Sequence, residues 1–351
     1  MAKRPENDVN PVEVTPTRLE LQRAWAIRQA ARADSTIDDE ALSDWECLQH
    51  SIVAKDAIGL ALTRIRRLQA FKERYGILRD GSVDEARRDL HVFLQTHPGF
   101  YLSLAQGIVG ESKKKTVASS SSAPPSKVVS SGDTPPSHTI SPSQPKPTCS
   151  TASSSALNTT EAQSVSSPLP AQILCYSYRD FCARRMTTDE ALAIYMRAAF
   201  YVLNASQHTL TALRGGLVTY IDCSGMLSRV NYAPAVEKEA RQLFMGAYPI
   251  RMQHIGMLNV FPLMRWLYHL VAKPFLNPKI VALLRMDSDR DAVLAATAAA
   301  HPSASFYKVL PVTWGGRCAV EDFAKTILVR LQQREENVQN FQLVEPTEWG
   351  Q

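Results

Sequence analysis

The sequence predicts an α/β layer fold preceded by a small all-helical domain, and three observations support this prediction. Residues 18–110 carry apolar side chains at helical spacing. Residues 111–170 are rich in Ser, Pro and Thr and show no apolar period. From residue 171 onward, apolar and β-branched runs alternate with helical patterns, as expected for a sheet with flanking helices.

Composition sets limits on the class of protein. The 351 residues leave room for two domains, and a hydrophobic content of 45% is enough for a substantial core. The formal net charge of +5 is too small to indicate a nucleic-acid partner. The six cysteines include no CxxC pair, which favours reduced thiols in the cytosol and gives no metal site. We therefore expect neither a metal nor a cofactor.

The first part of the chain divides into a flexible tail, residues 1–16, and a helical domain, residues 17–110. Ser43 is placed to cap a helix, and a capping box at residues 82–85 begins another. Apolar residues from Ile58 to Phe71 form one stripe. Residues 111–170 follow as a disordered linker, because such a composition cannot bury enough surface to offset its ordering entropy.

The second domain, residues 171–341, is predicted to alternate strands and helices before a short tail, residues 342–351. Strands are expected at residues 175–181, 216–222 and 255–260. Helices are expected at residues 188–205, 236–244, 262–272 and 289–300, with a last amphipathic helix carrying Ile327 and Leu331. Pro274 should end or kink the helix before it, because proline lacks the amide donor.

The longest apolar stretch, residues 248–286, is interrupted by seven cationic or histidine side chains, so it lacks the roughly 20 apolar residues of a membrane span. Within it, one helical face carries Leu263, Trp266, Leu267, Leu270 and Val271, and Arg265, His269 and Lys273 fall near the other. Two interpretations are open. The apolar face packs on the sheet, or it covers a hydrophobic cavity with its cationic edge toward phospholipid headgroups.

A candidate for chemistry is Cys223, which follows a predicted strand and stands six residues before Arg229. This is the C-x5-R spacing of cysteine phosphatases, in which a thiolate attacks a phosphate held by the loop. Asp222 before the cysteine would disfavour the thiolate. A structural turn at the end of the strand is the alternative, and we expect no catalytic residue and no enzyme activity.

Five segments, taken in order, resemble the CRAL-TRIO lipid-binding family. They are LRGGLVTYIDCSG (213–225), YPIR (248–251), HIGMLNVF (254–261), KPFLNPKI (273–280) and LPVTWGG (310–316). Residues 58–104 are similar to the helical domain that usually precedes this fold. The resemblance implies a mostly parallel sheet floor with flanking helices, a lipid pocket and a mobile helical gate over it.

The resemblance also implies site residues. The gate and pocket would be formed by Phe261, Leu263, Trp266, Leu267, Leu270, Phe275 and Leu276. Arg251 and Lys279 hold positions at which members of one branch contact phosphoinositide headgroups, whereas a third basic position is Leu283 here.

The function implied is binding of a hydrophobic ligand or phospholipid and its transfer or presentation between membranes. Docking on phosphoinositide-containing membranes would be reversible. The N-terminus has no apolar signal region, so we expect a cytoplasmic, peripheral, monomeric protein whose partners are a lipid and an anionic membrane surface. Two alternatives stay open: a lipid-sensing scaffold regulated through its linker, and a cysteine phosphatase using Cys223 and Arg229.

Overall fold

The computed structural model describes residues 15–77, 83–96, 100–103, 171–179, 188–226, 233–276, 278–293, 295, 310, 312–314 and 320–346. The predicted linker, residues 111–170, lies outside these residues, as do the capping residue Ser82, Arg229 and the glycine pair of the last motif. The described residues up to 103 and from 171 onward form one compact unit.

The helices of the first part of the chain are α1 (Arg18–Arg32), α2 (Asp44–Ala54), α3 (Ile58–Tyr75) and α4 (Val83–Thr96). Capping boxes begin two of them. The Ser43 hydroxyl accepts from the Glu46 amide at 3.1 Å, and the Ser43 amide donates to the Glu46 carboxylate at 3.2 Å. Thr17 caps α1 in the same way. These reciprocal bonds satisfy amides that have no partner inside the helix, which fixes where each helix begins.

A five-stranded sheet forms the centre of the molecule, in the order β1 (Phe100–Ser103), β2 (Gln172–Ser177), β3 (Leu217–Asp222), β4 (Met252–Leu258) and β5 (Leu284–Met286). The last four strands are parallel to one another, and β1 pairs antiparallel with β2. Residues 100–103 therefore form an edge strand in a stretch for which the sequence predicted helix.

The remaining helices are α5 (Asp189–Ser206), α6 (Leu210–Gly215), α7 (Pro234–Arg241), α8 (Pro262–Leu267), α9 (Pro278–Leu283) and α10 (Val320–Asn340). Helix α7 continues as a π-helical turn, Gln242–Ala247. The helix expected over residues 262–272 is α8 followed by a π-helical turn, Tyr268–Ala272. A 3-10 turn, Lys273–Phe275, contains Pro274, so the chain leaves regular α-helical geometry around this proline.

The main core joins both parts of the chain. Phe71 and Tyr75 of α3 and Phe93 of α4 belong to the same buried cluster as Phe200 of α5 and Tyr220 of β3. Ion pairs reinforce this packing: Arg197 of α5 donates to Asp89 of α4 at 2.6 Å. Helices α3 and α4 therefore share this core with the sheet-bearing part, whereas the buried residues of α1 and α2 form a second cluster with Leu210 and Leu213.

Candidate functional site

The connection from β4 to β5, residues 259–283, contains the predicted gate. We call residues 262–276 the gate segment. It begins after Asn259, which has a positive φ of 53°. The Asn259 side chain donates to Asp222 Oδ1 at 2.8 Å, and the Val260 amide donates to the carbonyl oxygen of Asp287 at 3.0 Å. Asparagine tolerates the left-handed conformation better than most residues, and these bonds fix the point at which the gate segment leaves the sheet.

The apolar face of the gate segment points to solvent. Its exposed side chains, from 40% for Leu267 to 86% for Phe275, are those of Leu263, Trp266, Leu267, Leu270, Val271 and Phe275. Tyr268 on the opposite side is buried, and Phe261 and Leu276 are half-buried. The interpretation that this face packs on the sheet is therefore wrong. A contiguous exposed apolar surface of this kind is typical of a ligand-binding or membrane-binding site.

A half-covered apolar surface lies on one face of the sheet. Residues paired across parallel strands point to the same side of the sheet. The register forms two such rows across β3, β4 and β5. One row is Thr219, Ile255 and Leu284, and the other is Ile221, Met257 and Met286. The half-buried apolar members of these two rows, which we call the floor residues, are Ile221, Ile255, Met257, Leu284 and Met286.

The handedness of the strand connections indicates which face the gate segment crosses. Strands β2 to β5 follow one another in one direction across the sheet. Such crossovers are right-handed in about 98% of cases, which brings all of them to the same face. Tyr195 of α5, in the first connection, hydrogen bonds Tyr176 of β2, and Tyr176 is aligned with Ile221. From this rule we expect residues 259–283 on the face that carries the floor residues.

The two predicted headgroup residues occupy one edge of the sheet. Arg251 immediately precedes β4, and Lys279 lies on α9, which leads directly into β5. Because β4 and β5 are parallel neighbours, both cations lie toward the amino-terminal edge, whereas the gate segment begins at the opposite edge. Both side chains are exposed, and the Arg251 guanidinium donates to the Arg214 carbonyl oxygen at 3.1 Å.

A small cleft lies at the base of the gate segment. Its volume is about 350 Å³, and its lining residues are Val260, Pro262, Arg265, Trp266, His269 and Ser288. We call it the hinge cleft. The Arg265 guanidinium forms an ion pair with Asp287 at 3.2 Å, so its charge is directed at the turn after β5. Sequence reasoning missed both this cleft and the floor residues, although the apolar alternation of Ile255 and Met257 was a signal for the floor.

The thiol of Cys223 is unsuited to nucleophilic attack. It is buried and donates to the Ile221 carbonyl oxygen at 3.8 Å. Burial, followed by the carboxylates of Asp222 and Glu237, raises the pKa of this thiol to about 12. A thiol that stays protonated near neutral pH is a poor nucleophile. The geometry favours the structural turn over the phosphatase, and Arg229 lies outside the described residues.

The described part of the chain contains no cluster of side chains suited to hold a metal ion, and no helix there is long and apolar enough to cross a bilayer.

The geometry is that of an α/β domain with a half-covered apolar sheet face and an exposed amphipathic helical segment. Residues 177–299, which include β3, β4, β5 and the whole gate segment, match the family model of the CRAL/TRIO domain. This match confirms the resemblance seen in the sequence, and such domains in general bind or transfer lipophilic ligands. No curated protein matches the chain.

Proposed function

We propose that the protein binds one lipophilic ligand over the floor residues, that the gate segment closes over this ligand, and that the protein transfers or presents it at membranes. The observation that carries the proposal is the pair of incompletely covered apolar surfaces. The floor residues are half-buried, and six apolar side chains of the gate segment are exposed.

The hydrophobic effect supplies the affinity. Apolar surface removed from water contributes about 25 cal/mol per Å². Lost translational freedom and ordering of the gate segment offset part of this gain. A ligand with long apolar chains therefore binds better than a small one, because each additional methylene buries more surface at little extra entropic cost.

The exposed gate face also suits reversible membrane docking from the cytoplasm. Leu263, Trp266 and Leu270 can enter the boundary between headgroups and acyl chains, as the apolar face of an interfacial helix does. Arg251 and Lys279 lie at one sheet edge, where an anionic leaflet attracts each cation by about 1 kcal/mol. Leu283 supplies no third charge, so we propose a general affinity for phosphoinositide-containing membranes and no strong selectivity among phosphoinositides.

The ligand is tested on the full chain as purified. Native mass spectrometry is expected to show a bound lipid, or uptake of one after incubation with liposomes. A donor–acceptor liposome assay with labelled phospholipid, tocopherol or retinoid is expected to show transfer. A chain that carries no lipid, accepts none and transfers none of these molecules would contradict the proposed function.

The docking role is tested by charge reversal. The variant Arg251→Glu/Lys279→Glu is expected to bind phosphoinositide liposomes at least about thirtyfold more weakly, because two attractions of about 1 kcal/mol each are lost and the new charges are repelled. The matched control is Arg18→Glu/Lys325→Glu, which changes the net charge equally at exposed sites on α1 and α10. If both variants lost the same affinity for liposomes, the loss would come from the change in net charge, which would contradict a specific role for Arg251 and Lys279.

A further inference from the structure

A chain of contacts joins helix α1 to Arg251, one of the two cations assigned above to headgroup binding. Both carboxylate oxygens of Glu20 on α1 accept from Arg214 of α6, Oε1 from Nε at 2.9 Å and Oε2 from Nη2. The carbonyl oxygen of Arg214 in turn accepts from Arg251 Nη1 at 3.1 Å. Two successive contacts therefore lead from a carboxylate of the N-terminal helices to the cationic edge of the sheet.

The ion pair between Glu20 and Arg214 holds the guanidinium in one orientation. The pair is bidentate, and the two side chains are only 14% and 17% exposed. The Thr17 amide also donates to Glu20 at 2.8 Å, and Arg214 donates to the Thr15 carbonyl oxygen at 3.0 Å. Burial opposes ionisation of Glu20, but the bonds from Arg214 and Thr17 outweigh it, so the pKa of Glu20 lies below its ordinary value. A planar fork held by two parallel bonds has little freedom to turn.

Helix α6 moves with the N-terminal helices, because its apolar side packs among them. Leu210 and Leu213 of α6 belong to the buried cluster that also contains Ala24 and Ile27 of α1. The ion pair with Glu20 and this apolar contact therefore fix α6 against α1 on two sides.

The turn after α6 is fixed to the beginning of β4. The Gly215 carbonyl oxygen accepts from the Gln253 side chain at 3.2 Å, and the Leu217 amide donates to the Arg251 carbonyl oxygen at 2.9 Å. Gly216 has a positive φ of 73°, and a Cβ atom there would lie 2.3 Å from the Arg251 carbonyl oxygen. Only glycine permits this close approach. A shift of α6 is therefore passed directly to the backbone of residues 251–253.

Arg251 gains most from such support because its side chain is exposed. A long exposed arginine loses side-chain entropy when it binds a ligand, and a bond that already orients it reduces this loss. Its described hydrogen bond, to the Arg214 carbonyl oxygen, uses one of the five N–H donors of a guanidinium. The other donors remain for the oxygens of a phosphate group.

We propose that Glu20 is a positioning residue for phosphoinositide binding: through Arg214 it holds the carbonyl oxygen that orients the Arg251 guanidinium. The inference rests on the proposed function, because it requires that Arg251 contacts a headgroup. Helix α1 lies outside residues 177–299, so the family match does not assign it this role.

The variant Glu20→Gln separates positioning from overall charge, because the two effects have opposite signs. Loss of a negative charge would by itself strengthen attraction to an anionic vesicle. Loss of the orientation of Arg251 should instead weaken binding about two- to fivefold, since one cation near an anionic leaflet contributes about fivefold. The measurement is co-sedimentation of the full chain with phosphatidylcholine vesicles, with and without phosphatidylinositol bisphosphate.

Two further variants control for charge and for stability. Asp56→Asn makes the same charge change at another bidentate pair of α1, in which Arg23 donates to Asp56 at 2.7 and 2.9 Å, and it should not weaken binding. Arg214→Lys keeps the net charge but loses the fork, so it should weaken binding as Glu20→Gln does. Urea unfolding of each variant shows whether weaker binding accompanies a loss of stability.

The Arg251→Gln background shows whether Glu20 acts through Arg251. There, Glu20→Gln should cause no further loss of binding, because the group that it positions is absent. Binding to vesicles without phosphoinositide should be the same in every variant, whereas general damage to the fold would lower it. Wild-type or stronger binding of phosphoinositide vesicles by Glu20→Gln, or an equal loss in the Arg251→Gln background, would overturn the inference.

Arg251→Gln alone distinguishes this failure from failure of the proposed docking. If Arg251→Gln binds phosphoinositide vesicles as well as the wild type does, the docking role of Arg251 is contradicted and the positioning role falls with it. If Arg251→Gln binds weakly but Glu20→Gln and Arg214→Lys bind normally, docking by Arg251 stands and only the positioning role is overturned.

Discussion

At the scale of single residues, Thr219 is the polar side chain in the rows that form the sheet floor. It is only 9% exposed, and its hydroxyl oxygen has no hydrogen-bond partner among the described residues. Its neighbours in the same row are the apolar Leu174 and Ile255. A buried hydroxyl without a partner carries a desolvation cost of about 1–3 kcal/mol. A hydrogen-bonding group on the ligand, such as an ester or a hydroxyl, would remove this cost.

We therefore expect Thr219→Val to weaken ligand binding about tenfold, since it keeps the shape of the floor but removes one hydrogen bond. The free energy of unfolding should not fall, because valine leaves no polar atom unsatisfied. The measurement is displacement of a fluorescent lipid by the native ligand. The control is Ile221→Val, which changes floor volume without changing polarity. A Thr219→Val protein with unaltered affinity would mean that the ligand makes no bond there.

At the scale of elements, the gate segment exposes apolar side chains that contribute little to folding. The exposed fractions of Leu263 and Leu270 are 58% and 57%, and those of Leu19 and Leu60, on α1 and α3, are 52% and 47%. Exposed leucines of the two pairs should therefore affect the free energy of unfolding equally. Only Leu263 and Leu270 belong to the surface that we propose to bind membranes.

The variant Leu263→Ser/Leu270→Ser should lower partitioning into liposomes at least tenfold, because full burial of a leucine side chain contributes about 1.5–3 kcal/mol. The matched variant Leu19→Ser/Leu60→Ser should leave partitioning unchanged. Vesicle co-sedimentation gives the partitioning, and urea unfolding shows whether both variants fold alike. If the two variants lost partitioning to a similar extent, the exposed apolar face of the gate segment would not be the surface that binds membranes.

Local sequence signals were sufficient for some elements. The N-cap of α2 follows from Ser43 and Glu46 alone, because both bonds of a capping box lie within four residues. The apolar stripe of the gate segment was also correct. Its direction was not predictable, because amphipathic spacing separates two faces of a helix but does not say which one meets the body. That choice depends on contacts far apart in sequence, such as Arg265 with Asp287.

Other features required the assembled sheet. Residues 100–103 pair with residues of β2 that lie 70 to 76 positions later in the chain, and no local pattern near Pro98 and Gly99 carries that information. The floor residues likewise come from three strands, so their common face follows only from the register. The sequence predicted that Pro274 ends or kinks the helix of the gate segment. The π-helical turn before this proline has no signal in the sequence.

At the scale of the whole molecule, buried and partly buried polar contacts link the N-terminal helices to the sheet-bearing part. Glu239 of α7 accepts from Arg74 and from the Tyr75 hydroxyl of α3, both at 3.0 Å. Arg214 of α6 donates to Glu20 of α1 at 2.9 Å. Together with the shared core, these contacts indicate that the helices and the sheet fold as one unit. A stable floor therefore depends on residues well outside 177–299.

Two buried histidines make this unit sensitive to acid. Burial is the main cause that lowers the pKa of His50 to about 3, with Arg64 and Lys72 acting in the same direction. Burial also lowers the pKa of His208 to about 3, with Arg330 adding to it. Histidine in an unfolded chain has a pKa of about 6.5. Below that pH both histidines are protonated in the unfolded state but stay neutral in the folded state. Acid therefore favours unfolding until the pH falls through about 3.

The free energy of unfolding should therefore fall between pH 7 and pH 5 by up to about 4 kcal/mol, since each histidine contributes up to about 1.4 kcal/mol per pH unit below 6.5. Urea unfolding at the two pH values measures the change. His50→Gln, which cannot titrate, should roughly halve the pH dependence even if it lowers stability at both values. His269→Gln alters an exposed histidine and should leave the dependence intact. A wild-type protein equally stable at both pH values, or a His50→Gln variant with the full slope, would show that burial of His50 is not what couples folding to protons.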